Sequence, residues 1–138
     1  MNNYKYQDLK LGQTNGFEYD VTEEKLNMFK CLSGDNNPLH TDDKFAKQHG
    51  FSDKVVYGML TASFISTFGG VYLPGKYCII QQVEIKFIAP VFVGDRITVL
   101  GKIVELNDSV QRAVINIEMR KNNSVKVAKA KLYVGFLE

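Results

Sequence analysis

The chain has 138 residues, 45% of them hydrophobic and 23% charged, with 17 basic against 15 acidic side chains for a net charge of +2. This composition excludes a disordered, collagen-like or coiled-coil chain, and so mild a charge with no dense basic run argues against nucleic-acid binding. The length suits one compact domain over residues 1–138, large enough to bury a core without staples.

The N-terminal segment Met1-Asn2-Asn3-Tyr4-Lys5 has no apolar run, so no secretory leader is expected, and the expected location is the cytoplasm. Gly16 to Val21 alternates like a short strand. Asp20 or Thr22 offers a helix N-cap, and Glu23 and Glu24 suit the positive first turn that follows. Leu26, Phe29, Cys31 and Leu32 approximate an apolar helical stripe that Gly34 can close. Residues Gly34 to His40 read as loop. Thr41 is a second candidate N-cap, for a short helix reaching about Gln48.

The longest apolar stretch runs from Tyr57 to Leu73. Thr61, Ser63, Ser66 and Thr67 interrupt it and Gly69-Gly70 weakens it, so it reads as a buried helix from about Gly58 to about Val71, not a membrane span. Pro74-Gly75 ends that helix. Everything after it alternates as strand. Val83, Ile85 and Phe87 mark one apolar face; Ile97, Val99 and Ile103 a second; Ala113, Ile115, Ile117 and Met119 a third; Ala128, Ala130, Leu132 and Val134 a fourth. Asn107-Asp108-Ser109 and Lys121-Asn122-Asn123 are turn chemistry, so the last three strands form an antiparallel meander. A sheet with one apolar face must cover it, and the helix from Gly58 is the element apolar nearly all round. The expected architecture is therefore α+β, a curved antiparallel sheet wrapped around a central helix. The two cysteines, Cys31 and Cys78, sit among apolar neighbours and read as buried small hydrophobes, not a disulfide framework.

Polar function concentrates in Ser33-Gly34-Asp35-Asn36-Asn37-Pro38-Leu39-His40-Thr41-Asp42. A carboxylate and an imidazole on one stiffened loop can hold a water between them and move its protons. Equally, Asp-Asn-Asn-Pro is good turn material, and Asp35 can simply cap its own loop. At the start of the central helix, Tyr57-Gly58-Met59-Leu60 presents N–H groups with no intrahelical partner, and Gly58 lets an oxygen approach closely, as an oxyanion site needs. It can equally be there only for close packing of helix on sheet. His40, His49 and two separated cysteines match no zinc pattern, and no phosphate loop or nucleophile elbow is present.

Taken together, these segments resemble the MaoC-like dehydratases, the (R)-specific enoyl-CoA hydratases. Ser33 to Asp42 resembles their hydratase-2 motif. Val56-Tyr57-Gly58-Met59-Leu60-Thr61-Ala62-Ser63 is similar to the helix start that follows it. Val83 to Asp95 resembles their strand leading into a proline and a Gly-Asp turn. The resemblance implies a hot-dog fold and reversible syn addition of water to a trans-2-enoyl-CoA. It implies Asp35 as base, His40 orienting the water and helping deliver a proton, and the Gly58 N–H holding the thioester oxygen. Asn37 would brace the loop, and Tyr57 and Ser66 would line the pocket; Ser66, eight residues beyond Gly58, is expected on roughly the same helix face. At Tyr57 the sequence departs from the family pattern, where many members carry histidine, which bears on the pocket lining and substrate choice. The resemblance further implies an acyl-CoA thioester partner, no separate cofactor, no metal, and a homodimer or an assembly of dimers with sheets joined edge to edge. Lys47, Lys54, Lys76 and Lys86 are among the candidates to meet the CoA phosphates. A hot-dog thioesterase would be expected to carry an acidic residue on the central helix, where none occurs between Gly58 and Tyr72, and a non-catalytic acyl-CoA-binding module would be expected to lack the Asp/His pair.

Overall fold

The computed structural model describes residues 1–137. A 3-10 turn over Tyr6–Asp8 leads into β1 (Thr14–Asp20), α1 (Glu23–Ser33), α2 (Pro38–Thr41), α3 (Asp43–Gln48) and α4 (Gly58–Thr67). A π-helical turn over Phe68–Tyr72 continues α4, followed by β2 (Cys78–Phe87), β3 (Arg96–Asn107), β4 (Arg112–Lys121) and β5 (Val125–Phe136).

The five strands form one antiparallel sheet in the order β1-β3-β4-β5-β2. β3, β4 and β5 make the expected meander, and Asn122 and Asn123 turn the β4–β5 hairpin with φ of 53° and 56°, the left-handed region asparagine tolerates best after glycine. Register irregularities at Ile80/Gln82, Ile103/Glu105 and Met119/Arg120 bend three strand pairs. One face of the sheet carries Ile97, Val99, Ile103, Ile115, Met119, Leu132 and Val134, all buried in one cluster with Leu60, Ile65, Phe68 and Leu73. Phe68 lies over Gly101 of β3: a Cβ there would stand 2.1 Å from the ring's Cζ, so the strand has a glycine where the helix sends its largest buried ring.

The helix ends follow local chemistry. Thr22 caps α1 by accepting from Lys25 N at 3.2 Å, and Gly34 closes it at φ 73°. Asp42, not Thr41, caps α3, accepting from Lys44 N and Phe45 N. Thr41 instead ends α2, a single turn the sequence reads as loop.

Three expectations need correction. Cys31 is exposed and Cys78 only half-buried, and both are free thiols. Leu26 and Phe29 face inward, but Cys31 lies five residues past Leu26, about 140° round the helix, on the solvent side with Leu32. β2 is not a strand with one covered face: Ile79, Ile80, Val83 and Phe87 are all exposed, because it is the last strand of the sheet. Nor is α4 covered all round, since Met59, Ser63 and Ser66 face outward. Among the described residues no helix is long and apolar enough to cross a membrane.

Candidate active site

The segment between α1 and α4 folds back over the start of α4. Past Gly34, Ser33 Oγ accepts from Asp35 N at 3.2 Å, and Asp35 Oδ1 accepts from Asn37 N at 3.0 Å. Asn37 then caps α2, its Oδ1 accepting from Leu39 N at 2.9 Å and its carbonyl from His40 N at 3.0 Å. Pro38 occupies the first helical turn, where its missing N–H leaves no carbonyl unpaired. These bonds turn the loop sharply enough to carry Asp35 and His40 on a single short bend. The Asp35 carboxylate thus serves its own turn through one oxygen, as the bland reading of the sequence allows; this leaves its second oxygen for other partners.

His40 is anchored from the far side. Its Nδ1 lies 2.6 Å from the carbonyl of Val55, and Val55 N donates to Leu39 O at 3.0 Å. A carbonyl only accepts, so Nδ1 carries a proton, and of the two neutral tautomers the bond selects the one with its lone pair on Nε2. Tyr57, 2% exposed, sets its ring 4.3 Å from that of His40 at an interplanar angle of 33° and donates its hydroxyl to Asp35 O at 2.7 Å. Lys54 is ion-paired with Glu23 of α1, and its N–H donates to Asp53 and Asp43 carboxylates, fastening the base of the segment.

α4 begins at Gly58. Its first N–H groups lack intrahelical acceptors, while Leu60 N and Thr61 N bond to Tyr57 O. A Cβ at Gly58 would come within 3.3 Å of the Phe87 ring, so glycine keeps this entrance open.

His40 and Gly58 share the wall of a cavity of about 280 Å³. The remainder is mainly apolar, from Phe51, Val56, Phe87 and Val91, with Thr61 on the same side of α4 as Gly58. An imidazole and the start of a helix on the wall of one mainly apolar space can between them polarise a carbonyl and handle a proton. Asp35 and Asn37 lie on the exposed loop beside this cavity's His40 wall and do not line it, and Tyr57 stands behind His40. Ser66 is exposed and does not line the cavity either: eight residues on from Gly58 is about 80° round the helix, enough to leave that face. The sequence reading missed Val55, whose carbonyl sets the His40 tautomer; fifteen residues separate the two, and no local pattern marks such a pair. It also missed Thr61 and Phe87 as lining residues.

A larger hollow, about 860 Å³, crosses the outer face of the sheet between Lys86, Lys102, Lys126, Lys129, Lys131, Glu84 and Glu118. Of the expected residues only Lys86, a candidate for the CoA phosphates, borders it, while Asp35, Asn37, His40, Tyr57, Gly58 and Ser66 do not, so the smaller cavity, which His40 and Gly58 line, is the candidate site despite its size. Among the described residues no three His, Cys, Asp or Glu side chains gather as a metal ion would require.

The MaoC like domain model matches residues 8–128. An (R)-specific enoyl-CoA hydratase from Rhodospirillum rubrum is 37% identical over 67% of this chain, a match that spans 65% of the relative's own length. The (R)-specific enoyl-CoA hydratase of Aeromonas caviae is also 37% identical, over 74% of this chain and 76% of that one. The solved (R)-hydratase of Aeromonas caviae, described as involved in PHA biosynthesis, superposes with a TM-score of 0.89 at 30% identity, covering 95% of this chain and 99% of that one. The expected α+β hot-dog fold is thereby borne out, and the chain belongs to the MaoC-like domain family.

Proposed function

We propose that the protein is an (R)-specific enoyl-CoA hydratase, a hydro-lyase that adds water reversibly and syn across the double bond of a trans-2-enoyl-CoA. The observation that carries this reading is one cavity whose wall holds both His40 and Gly58, the first residue of α4, in a chain 37% identical over 93 and 102 residues to two enzymes of that name.

In this reading the thioester oxygen lies at the Gly58 N–H, where the positive end of α4 stabilises the charge that builds on it. A water held between Asp35 and His40 Nε2 gives one proton to Asp35 as its oxygen bonds to the β-carbon. The π electrons move onto the α-carbon and thioester as an enolate, and the α-carbon then takes, on the same face, the proton that Asp35 received, relayed through His40 Nε2, which restores the carboxylate and the imidazole. Water is a poor nucleophile, so much of the rate must come from holding it in line and polarising the carbonyl together. Asn37 braces the loop. The substrate is an acyl-CoA thioester, with no separate cofactor and no metal invoked.

The working unit is proposed to be a homodimer or an assembly of dimers built from this one domain. The support is the exposed β2 edge, where Ile79, Ile80, Val83 and Phe87 are uncovered, as a strand waiting for a second sheet would be. Ser66 and Met59 on the open side of α4 would meet the partner. The two free thiols are in keeping with the proposed cytoplasmic location.

The test is direct. Purified protein should consume crotonyl-CoA without releasing thiol, and Asp35→Asn should lose turnover by about 10²- to 10⁴-fold. Thiol release with an unchanged enoyl group would replace the hydratase reading with a thioesterase.

A further inference from the structure

We propose that Tyr57 is a positioning residue for the Asp35/His40 pair, a buried phenol that sets how far the Asp35 loop stands from the imidazole. The inference rests on the hydratase reading above and deepens it.

The two halves of the pair are tied to one short buried segment. His40 hangs from Val55 through its Nδ1, and Leu39 pairs with the Val55 N–H. Asp35 hangs from Tyr57 through its main-chain carbonyl. Among the described residues, the other hydrogen bonds of residues 33–37 come from within residues 29–41, so the Tyr57 hydroxyl is the bond that ties this bend to the rest of the chain. The same ring lies 4.3 Å from that of His40 and 4.9 Å from that of Phe29 on α1, which holds it on both sides. One residue later comes Gly58. Tyr57 therefore touches the Asp35 backbone with its hydroxyl and the His40 ring with its own ring, and leads directly into Gly58, the proposed oxyanion donor.

The hydroxyl bonds to the Asp35 carbonyl and not to its carboxylate, so Tyr57 acts through Asp35. Burial and the nearby Asp35 charge push its phenol up, so it remains a donor throughout the working range. Removing the oxygen while keeping the ring should leave the cavity and the His40 ring contact intact and release only the Asp35 bend. A bend free to move by a fraction of an ångström would misplace the water without changing how the acyl-CoA binds.

The experiment is steady-state hydration of crotonyl-CoA by the wild type, Tyr57→Phe, Asp35→Asn and the double variant, each confirmed folded by circular dichroism and thermal melting. Tyr57→Phe is expected to lower kcat by about ten- to a hundredfold with KM changed by no more than about twofold, a split that a general loss of structure does not give. In the Asp35→Asn background the same change should cost less than about twofold, since the group being positioned is already disabled. A Tyr57→Phe enzyme with wild-type kcat overturns the proposal, as does a loss that recurs in full in the double variant. A wild type that fails to hydrate the substrate overturns the hydratase reading and this inference with it, whereas an active wild type with an indifferent Tyr57→Phe overturns the inference alone.

Discussion

Replacing His40 by alanine separates chemistry from folding. The imidazole makes one hydrogen bond to the Val55 carbonyl at 2.6 Å and one aromatic contact with Tyr57 at 4.3 Å, and it is only partly buried. A net hydrogen bond contributes about 0.5–1.5 kcal/mol and an aromatic pair about the same, so the variant should lose about 1–3 kcal/mol of stability. Against a total of about 5–15 kcal/mol for a domain of ordinary stability, that leaves the fold populated. At about 3–4 °C per kcal/mol for a chain of this length, the midpoint should fall by about 3–12 °C. Turnover should fall far more, by about 10²- to 10⁴-fold, because among the described residues no other side chain with a basic nitrogen lines the cavity. The assay pairs thermal melting with enoyl-CoA hydration well below the variant's own midpoint. A folded His40→Ala protein that hydrates crotonyl-CoA within a few-fold of the wild-type rate would refute the role assigned to the ring.

Two further outcomes follow from packing and titration. Gly101→Ala puts a methyl group 2.1 Å from the Cζ of Phe68, a fully buried ring, and should cost about 1–3 kcal/mol, measured by denaturant unfolding; a neutral variant would contradict the close approach of Phe68 to Gly101. Burial pushes the Cys78 thiol up to about 11, so it stays protonated and unreactive at mildly alkaline pH, while Cys31 lies exposed and open to a reagent. A disulfide reagent should therefore find one fast thiol in the native protein and a second that becomes fast only near pH 11 or on unfolding; two equally fast thiols would contradict this.

Much of the fold is legible in the chain because its signals are local. The alternation in Ile97–Ile103 and Ala113–Met119 is a period of two that only a half-buried strand satisfies, and Thr22 and Gly34 close α1 by chemistry that needs no tertiary partner. The active-site bend is visible for the same reason: Asp35, Asn37 and Pro38 turn the chain using their own side chains. What escapes is long-range or too short to have a period. α2 is four residues long, fewer than any helical repeat can register. The exposure of Val83 and Phe87 depends on β2 being the last strand in the order, which alternation does not encode. Gly101 looks like an interruption in a strand until Phe68 is found above it. Ser66 follows Gly58 at a spacing close to two turns, and the remaining 80° or so decides which way it points. The Val55–His40 bond and the Tyr57–Asp35 bond cross 15 and 22 residues and exist only once the segment has folded back.

The stereochemistry of the product bears most directly on the assigned chemistry. Crotonyl-CoA incubated with the enzyme in deuterated water, followed by chiral separation of the 3-hydroxybutyryl product, should give the (R)-alcohol with the deuteron and the hydroxyl added to the same face and no thiol set free. An (S)-alcohol, anti addition, or free thiol in place of the hydroxyacyl thioester would contradict a water held between Asp35 and His40 beside the Gly58 N–H.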